Sequence, residues 1–235
     1  MTPAVLPDAA SLLQDPTREL VLASTSITRQ TLLRDAGLAF RVHAVPVDEA
    51  ELKRDARADG LTAGQAALRL AEAKASAAMT AVPLSLSGSG PDAAATAALP
   101  PGAGAPMVIG ADQMLECEGR WLDKPADLAE AADHLRFLSG RDHRLHTAVV
   151  VRGGDGLHWT HLETPSLRMR TLSAPFIKRY LAAEGEFLLG SVGAYRLEKR
   201  GQLLFERVDG EHAAILGLPM RALLDFLRRQ EVLLS

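Results

Sequence analysis

The sequence predicts an α/β protein built on a mixed β-sheet flanked by helices. Three observations carry this. Short apolar runs alternate with amphipathic segments along the 235 residues. Two of the amphipathic segments open at capping-box spacing, Thr62 with Gln65 and Asp127 with Glu130. Leu145 to Val151 and Leu157 to Met169 flank the turn Gly153-Gly154-Asp155-Gly156 and read as antiparallel strands, which an all-parallel sheet would not contain.

The elements follow in order. Leu20 to Ala23 reads as a buried strand that breaks into Ser24, Thr25 and Ser26. Thr28 to Ala36 then reads as a helix capped by Ser26 and ended by Gly37 at the C′ position. Ala39 to Val45 is a second strand, and Thr62 to Met79 a helix. Met107 to Ala111 is a short buried strand with Asp112 just past its end, and Asp127 to Leu138 is the other capped helix. Beyond the hairpin, Ser173 to Ala183 reads as a helix and Gly190 to Phe205 as a pair of strands. A final helix covers Leu218 to Arg229, after Gly217.

These elements make one domain over residues 19–230, preceded by an extension at 1–18. Residues 80–106 are almost all Ala, Gly, Ser and Pro, without periodicity, and read as a flexible surface insertion. A hydrophobic content of 47% with 23% charge is that of a folded globular chain. A net charge of -3 offers no footprint for bulk nucleic-acid binding. No apolar run approaches the ~20 residues of a membrane helix. The first 16 residues hold two acidic residues and three prolines but no basic group, unlike a secretory signal. A single cysteine, Cys117, rules out an internal disulfide and fits a reducing compartment, so a cytoplasmic location is expected.

Several residues could carry chemistry. Ser24, Ser26, Thr28 and Arg29 surround a helix N-terminus, where free N–H groups and the helix dipole favour an anion, and a guanidinium suits phosphate. The same residues also fit an ordinary capped turn. Lys74 falls in the middle of the apolar stripe formed by Ala67, Leu70, Ala71 and Ala78. Two readings fit it: a stem that snorkels to water, or an ammonium reaching into an anionic pocket. Asp112, at a strand end, is either a turn aspartate or a carboxylate lining a crevice, able to take a proton or hold a metal. Lys124, stiffened by Pro125, and the acids Glu49 and Glu198 each read as solvated when taken alone. His143 and His146 lie on an alternating strand and point to opposite faces, so they are not a metal pair. There is no GxxxxGK[ST] loop, no GxGxxG after a strand and no HExxH.

Six segments, in order from about Leu20 to Leu227, resemble the Maf family of nucleoside-triphosphate pyrophosphatases: LASTSITRQTLL, VDE, RLAEAKA, VIGADQ, DKPADLAEAADHLRFLSGRDHRLHTAV and GAYRLEKRGQLLFERVDGEHAAILGLP. The resemblance implies an elongated fold of the Maf/ITPase type, with two lobes around a central cleft, and a homodimer. It implies hydrolysis of a nucleoside triphosphate at the α-phosphorus with a divalent metal, Mg²⁺ or Mn²⁺. By position, Asp112 falls on the catalytic carboxylate and Glu49 on its acidic partner, both able to hold the metal. Lys74 and Lys124 fall on two catalytic lysines, and Ser24, Thr28 and Arg29 on the phosphate-binding turn. Membrane and nucleic acid are not expected partners.

The same resemblance bears on the base. Gln113 and Glu198 look like the branch that hydrolyses 7-methyl-GTP, whereas the branch acting on dTTP and UTP has a threonine and a glutamine there. A carboxylate can accept from both guanine N1–H and the N2 amino group, each charge-assisted bond contributing roughly 1.5–3 kcal/mol. Thr28 stands where the branches carry arginine or tryptophan, and Ile27 replaces a proline. Two alternatives are kept: a pyrimidine or broad-specificity enzyme of the same family, and a non-catalytic nucleotide-binding regulator of cell division.

Overall fold

The computed structural model describes residues 13–81, 105–154 and 156–234. In chain order these form β1 (Leu20–Leu22), α1 (Ile27–Asp35), β2 (Arg41–Val42), α2 (Glu49–Ala58) and α3 (Ala63–Ala81). The next elements are β3 (Met107–Cys117), β4 (Arg120–Leu122), α4 (Leu128–Leu138) and β5 (Asp142–Gly153). Then come β6 (His158–Glu163), β7 (Ser166–Met169), α5 (Ala174–Glu184), β8 (Phe205–Asp209), α6 (His212–Ile215) and α7 (Met220–Arg229). One mixed sheet results, in the order β2-β1-β3-β5-β7-β8, with β4 on β3 and β6 on β5.

The two long strands β3 and β5 run antiparallel from Met107↔Gly153 to Glu116↔Arg144 and belong to both halves of the molecule. On the outer edge of β3, β1 pairs in parallel with Met107 to Ile109, and β4 pairs antiparallel with Leu115 to Cys117. The residues between, 110–114, have no strand on that edge, and Asp112 lies in this interval. The outer edge of β5 is divided in the same way, with β6 along Thr147 to Arg152 and β7 along Asp142 to Arg144. Pro165 marks the break, since proline cannot donate to a ladder.

Alternation along β3 distributes the cores. Ile109 and Ala111 face a layer made by Leu33 of α1 with Leu223, Phe226 and Leu227 of α7. Val108 and Met114 face α3, through Ala67, Leu70, Ala71 and Ala75. The other half has its own core, in which Leu115, Leu145 and Leu167 pack on Leu135 and Leu138 of α4 and Ile177 of α5. At Gly110 the α3 backbone comes so close that a Cβ would sit 2.3 Å from the Ala71 carbonyl oxygen.

Local signals hold where they were strongest. Ser26 caps α1 by accepting from the Arg29 N–H, and Gly37 follows with φ 77°. Thr62 and Gln65 bond reciprocally, at 2.9 and 3.3 Å, and Asp127 caps α4. His143 faces the core and His146 the other side of the sheet, toward α3. Elsewhere the structure differs. The strand expected over Ala39 to Val45 shrinks to Arg41–Val42. The helix α2, capped by Asp48, was not anticipated, since Ala56 is its one fully buried residue and most of its positions are charged. β3 runs on to Cys117, so Asp112 is mid-strand and not at a strand end. The segment Gly190 to Phe205 is not a strand pair: it winds through short 3₁₀ turns, with Gly193 and Ala194 at positive φ. β8 and α6 follow it, and α7 begins at Met220, after Pro219.

Of the N-terminal extension, residues 1–12 lie outside the described residues. Gln14 is buried and its side chain bonds Ala39 through both its N–H and its carbonyl. Most of the expected flexible insertion, residues 82–104, also lies outside the described residues. Among those described, no helix is long and apolar enough to cross a membrane.

Two outcomes follow. Gly110→Ala must separate α3 from β3, and the expected loss is about 1–3 kcal/mol in urea unfolding. An unchanged midpoint would refute the close approach. His143, bonded to the Tyr195 hydroxyl at 2.9 Å, is held neutral by burial, which lowers its pKa to about 4 against a smaller opposing pull from Asp142. An unfolded chain takes up this proton below 6.5 and the folded one does not, so stability falls as pH drops from 6.5 toward 4. Denaturant titration at pH 5 should show about 2 kcal/mol less stability than at pH 7 from this group, absent in His143→Gln.

Candidate active site

The turn after β1 is built around Arg29. The chain leaves the sheet with the Ala23 N–H on the Ile109 carbonyl, at 2.8 Å. Ser24 is buried and its hydroxyl accepts from the Ser26 N–H at 3.3 Å and from Arg29 Nη1 at 3.2 Å. Arg29 Nε donates to the Gly217 carbonyl at 2.8 Å, tying α1 to the turn before α7. Gly217 has φ 109°, a backbone conformation that favours glycine. Burial pushes the Arg29 guanidinium below its usual value, while Asp112 and Glu49 act to raise it. Guanidinium remains the charged form throughout the working range.

Three groups meet in the gap between the two halves of the sheet. Asp112 points from β3 toward α3 and is only 5% exposed. Its Oδ1 accepts from Lys74 Nζ at 2.6 Å. The same ammonium lies 2.8 Å from Glu49 Oε1 on the first turn of α2. Lys74 therefore does not snorkel to water; its stem crosses the alanine stripe of α3 and ends between two carboxylates. Asp112 Oδ2 is buried without a hydrogen-bond partner among the described residues. For Glu49, burial raises the carboxyl pKa, but Lys74, then Lys53 and Lys124, outweigh this and hold it below its ordinary value.

These groups line a cleft of about 410 Å³. Thr28 and Arg29 form one wall, and Lys124 reaches it from the exposed turn before α4. Glu198 also lines the cleft, in a turn and not at a strand end. Gln113 also borders the cleft, but its Nε2 is engaged by Thr147 Oγ1 at 2.8 Å and by the Ala214 and Ile215 carbonyls at 3.0 and 3.1 Å. That bonding fastens α6 to the sheet. Ser24 stands behind the cleft and meets it through Arg29. Residues from eight separated stretches thus share one cavity.

Two cations at this cavity were not singled out from the sequence. Lys53 lies one helical turn after Glu49, 4.0 Å from it, and contacts Asp123. Arg196 lines the cleft, stacks over Phe187 at 5.0 Å and lies 3.7 Å from the buried Glu184. For Lys53 the signal was the i, i+4 spacing from Glu49, visible only once α2 is known to be a helix. Among the described residues, no group of three or more His, Cys, Asp or Glu side chains could hold a metal ion.

A family model described as Maf-like protein matches residues 19–230. A nucleoside triphosphate pyrophosphatase of Granulibacter bethesdensis is 42% identical over 92% of this chain and 98% of its own length. A 7-methyl-GTP pyrophosphatase of Rhizobium meliloti is 43% identical, covering 89% of this chain and 94% of its own. With a nucleoside triphosphate pyrophosphatase of Nitrobacter hamburgensis the identity is 44%, over 92% and 96%. A match over nearly the whole described fold, together with relatives more than 40% identical along almost their full length, establishes that the chain belongs to the Maf-like protein family.

Proposed function

We propose that this chain is a nucleoside-triphosphate pyrophosphatase that cleaves the α–β phosphoanhydride, releasing a monophosphate and pyrophosphate. The observation that carries it is Lys74 Nζ held between Asp112 and Glu49 inside a cleft also reached by Arg29 and Lys124. A nucleoside triphosphate brings roughly four negative charges, and the transition state shifts more onto the departing pyrophosphate. Lys74, Lys124 and the helix N-terminus beside Arg29 are placed to stabilise that charge. Asp112 is suited to take the proton of the attacking water as its oxygen bonds to the α-phosphorus and the bridging oxygen leaves with pyrophosphate.

A divalent cation fits this donor set. The Oδ2 of Asp112, without a hydrogen-bond partner among the described residues, and the carboxylate of Glu49 are hard oxygen ligands, the type Mg²⁺ and Mn²⁺ take. Two carboxylates do not complete a coordination shell, so substrate phosphate oxygens and water would supply the rest. When bound, the ion neutralises phosphate charge and acidifies water. Glu198 supports a guanine-type base, and 7-methyl-GTP in particular, because its carboxylate can accept from N1–H and the N2 amino group and offsets the positive charge of a 7-methylated ring. The reading includes a homodimer working in the cytoplasm.

The test is pyrophosphate release from 7-methyl-GTP, UTP, dTTP and CTP with Mg²⁺ and with Mn²⁺. We expect 7-methyl-GTP to turn over fastest, and Asp112→Asn to lose about 100-fold or more in kcat while still binding triphosphate. Faster turnover of UTP would overturn the base assignment. Nucleotide binding by the wild type without metal-dependent turnover would make the chain a regulator instead.

A further inference from the structure

Resting on the reading above, we propose that Lys53 is a further phosphate-binding residue of this site. In this proposal it turns from Asp123 to a substrate phosphate when a triphosphate enters. Glu49 and Lys53 are four residues apart on α2, so they project from one face. Glu49 reaches Lys74 in the cleft, and Lys53 Nζ lies 4.0 Å from Glu49 on the same side. Its side chain is 20% exposed, although the neighbours Arg54 and Asp55 are open to solvent. A lysine on a polar, exposed helix normally sends its head group outward. This one turns into the cavity.

Its partners are what make an exchange feasible. Arg29 is committed to the Gly217 carbonyl and Ser24, and Lys74 to the buried Asp112. Lys53, by contrast, is paired with Glu49 and Asp123, whose side chains are 43% and 52% exposed. Ion pairs to such exposed carboxylates add little stability, and water replaces the lysine at small cost. A phosphate in the cleft carries more charge than Asp123, so it competes favourably for the ammonium. With three N–H donors and no acceptor, Lys53 can also serve both at once. Asp123 in this view is a stand-in that keeps the ammonium aimed inward while no anion is present.

The experiment compares wild type with Lys53→Met, Lys53→Arg and Asp123→Asn, each checked for an unchanged melting temperature. Tripolyphosphate binding is measured by calorimetry, and KM and kcat from pyrophosphate release with 7-methyl-GTP and UTP. Lys53→Met should weaken tripolyphosphate binding and raise KM about tenfold, with kcat changed less, as expected for one charge-assisted bond. Lys53→Arg should restore most of the loss. Asp123→Asn, which frees the ammonium, should bind tripolyphosphate at least as tightly as wild type. If Lys53→Met binds like wild type, or Asp123→Asn weakens binding as much as Lys53→Met does, the pair is a structural tie and the proposal fails. Should Lys53→Met not fold, Lys53→Gln and the Asp123→Asn arm decide. A wild type that releases no pyrophosphate from any triphosphate would defeat the proposed function, while tripolyphosphate binding would still decide the role of Lys53.

Discussion

Asp112 is a carboxylate in the middle of a central strand, almost out of reach of water, and the ammonium of Lys74 is what allows the fold to keep it there. An isolated buried carboxylate would be strongly disfavoured, and removing one partner of such a pair typically costs 3–5 kcal/mol. The requirement propagates outward. Lys74 can reach Asp112 only if α3 lies flush on β3, which explains the alanines along its inner face and the missing side chain at Gly110. Stability and chemistry therefore draw on the same close contact.

The sheet makes room for this pair by changing partners. β1 ends beside Ile109 and β4 ends beside Leu115, leaving one edge of β3 open where Asp112 stands. Into that opening come groups from elements far apart in sequence: Arg29 from α1, Glu49 and Lys53 from α2, and Lys124 from the turn before α4. Each is held by its own local device. Arg29 is fixed by Ser24 and Gly217, and Glu49 by a helix start that Asp48 caps. The buried His143–Tyr195 bond anchors the segment that continues into Arg196 and Glu198.

What could be read from the chain followed the range of the interactions involved. The Ser26 cap, the Gly37 stop and the Thr62–Gln65 box depend on residues within one turn, and they stand where the sequence placed them. The length of β3 depends on β4 and β5, which no local pattern reports, so Asp112 was expected at a strand end and lies mid-strand. Helical periodicity set Lys74 on the apolar stripe but left open where its head group goes; a carboxylate on a neighbouring strand decides that. Gly190 to Phe205 has the composition of strands, yet left-handed Gly193 and Ala194 turn the backbone away from a ladder. The candidate site residues were named mainly through the family resemblance, while their convergence could emerge only from the fold.

Taken together, the groups form a one-sided arrangement: a buried carboxylate on the strand, cations around it, and a helix N-terminus at the cleft wall. Under the proposed function, such an arrangement would direct water to one phosphorus of the chain of three and send charge to the other two. Hydrolysis in ¹⁸O-enriched water, with mass analysis of both products, tests this most directly. The account predicts label in the nucleoside monophosphate and none in pyrophosphate; label in pyrophosphate would place the attack on the β-phosphorus and contradict it.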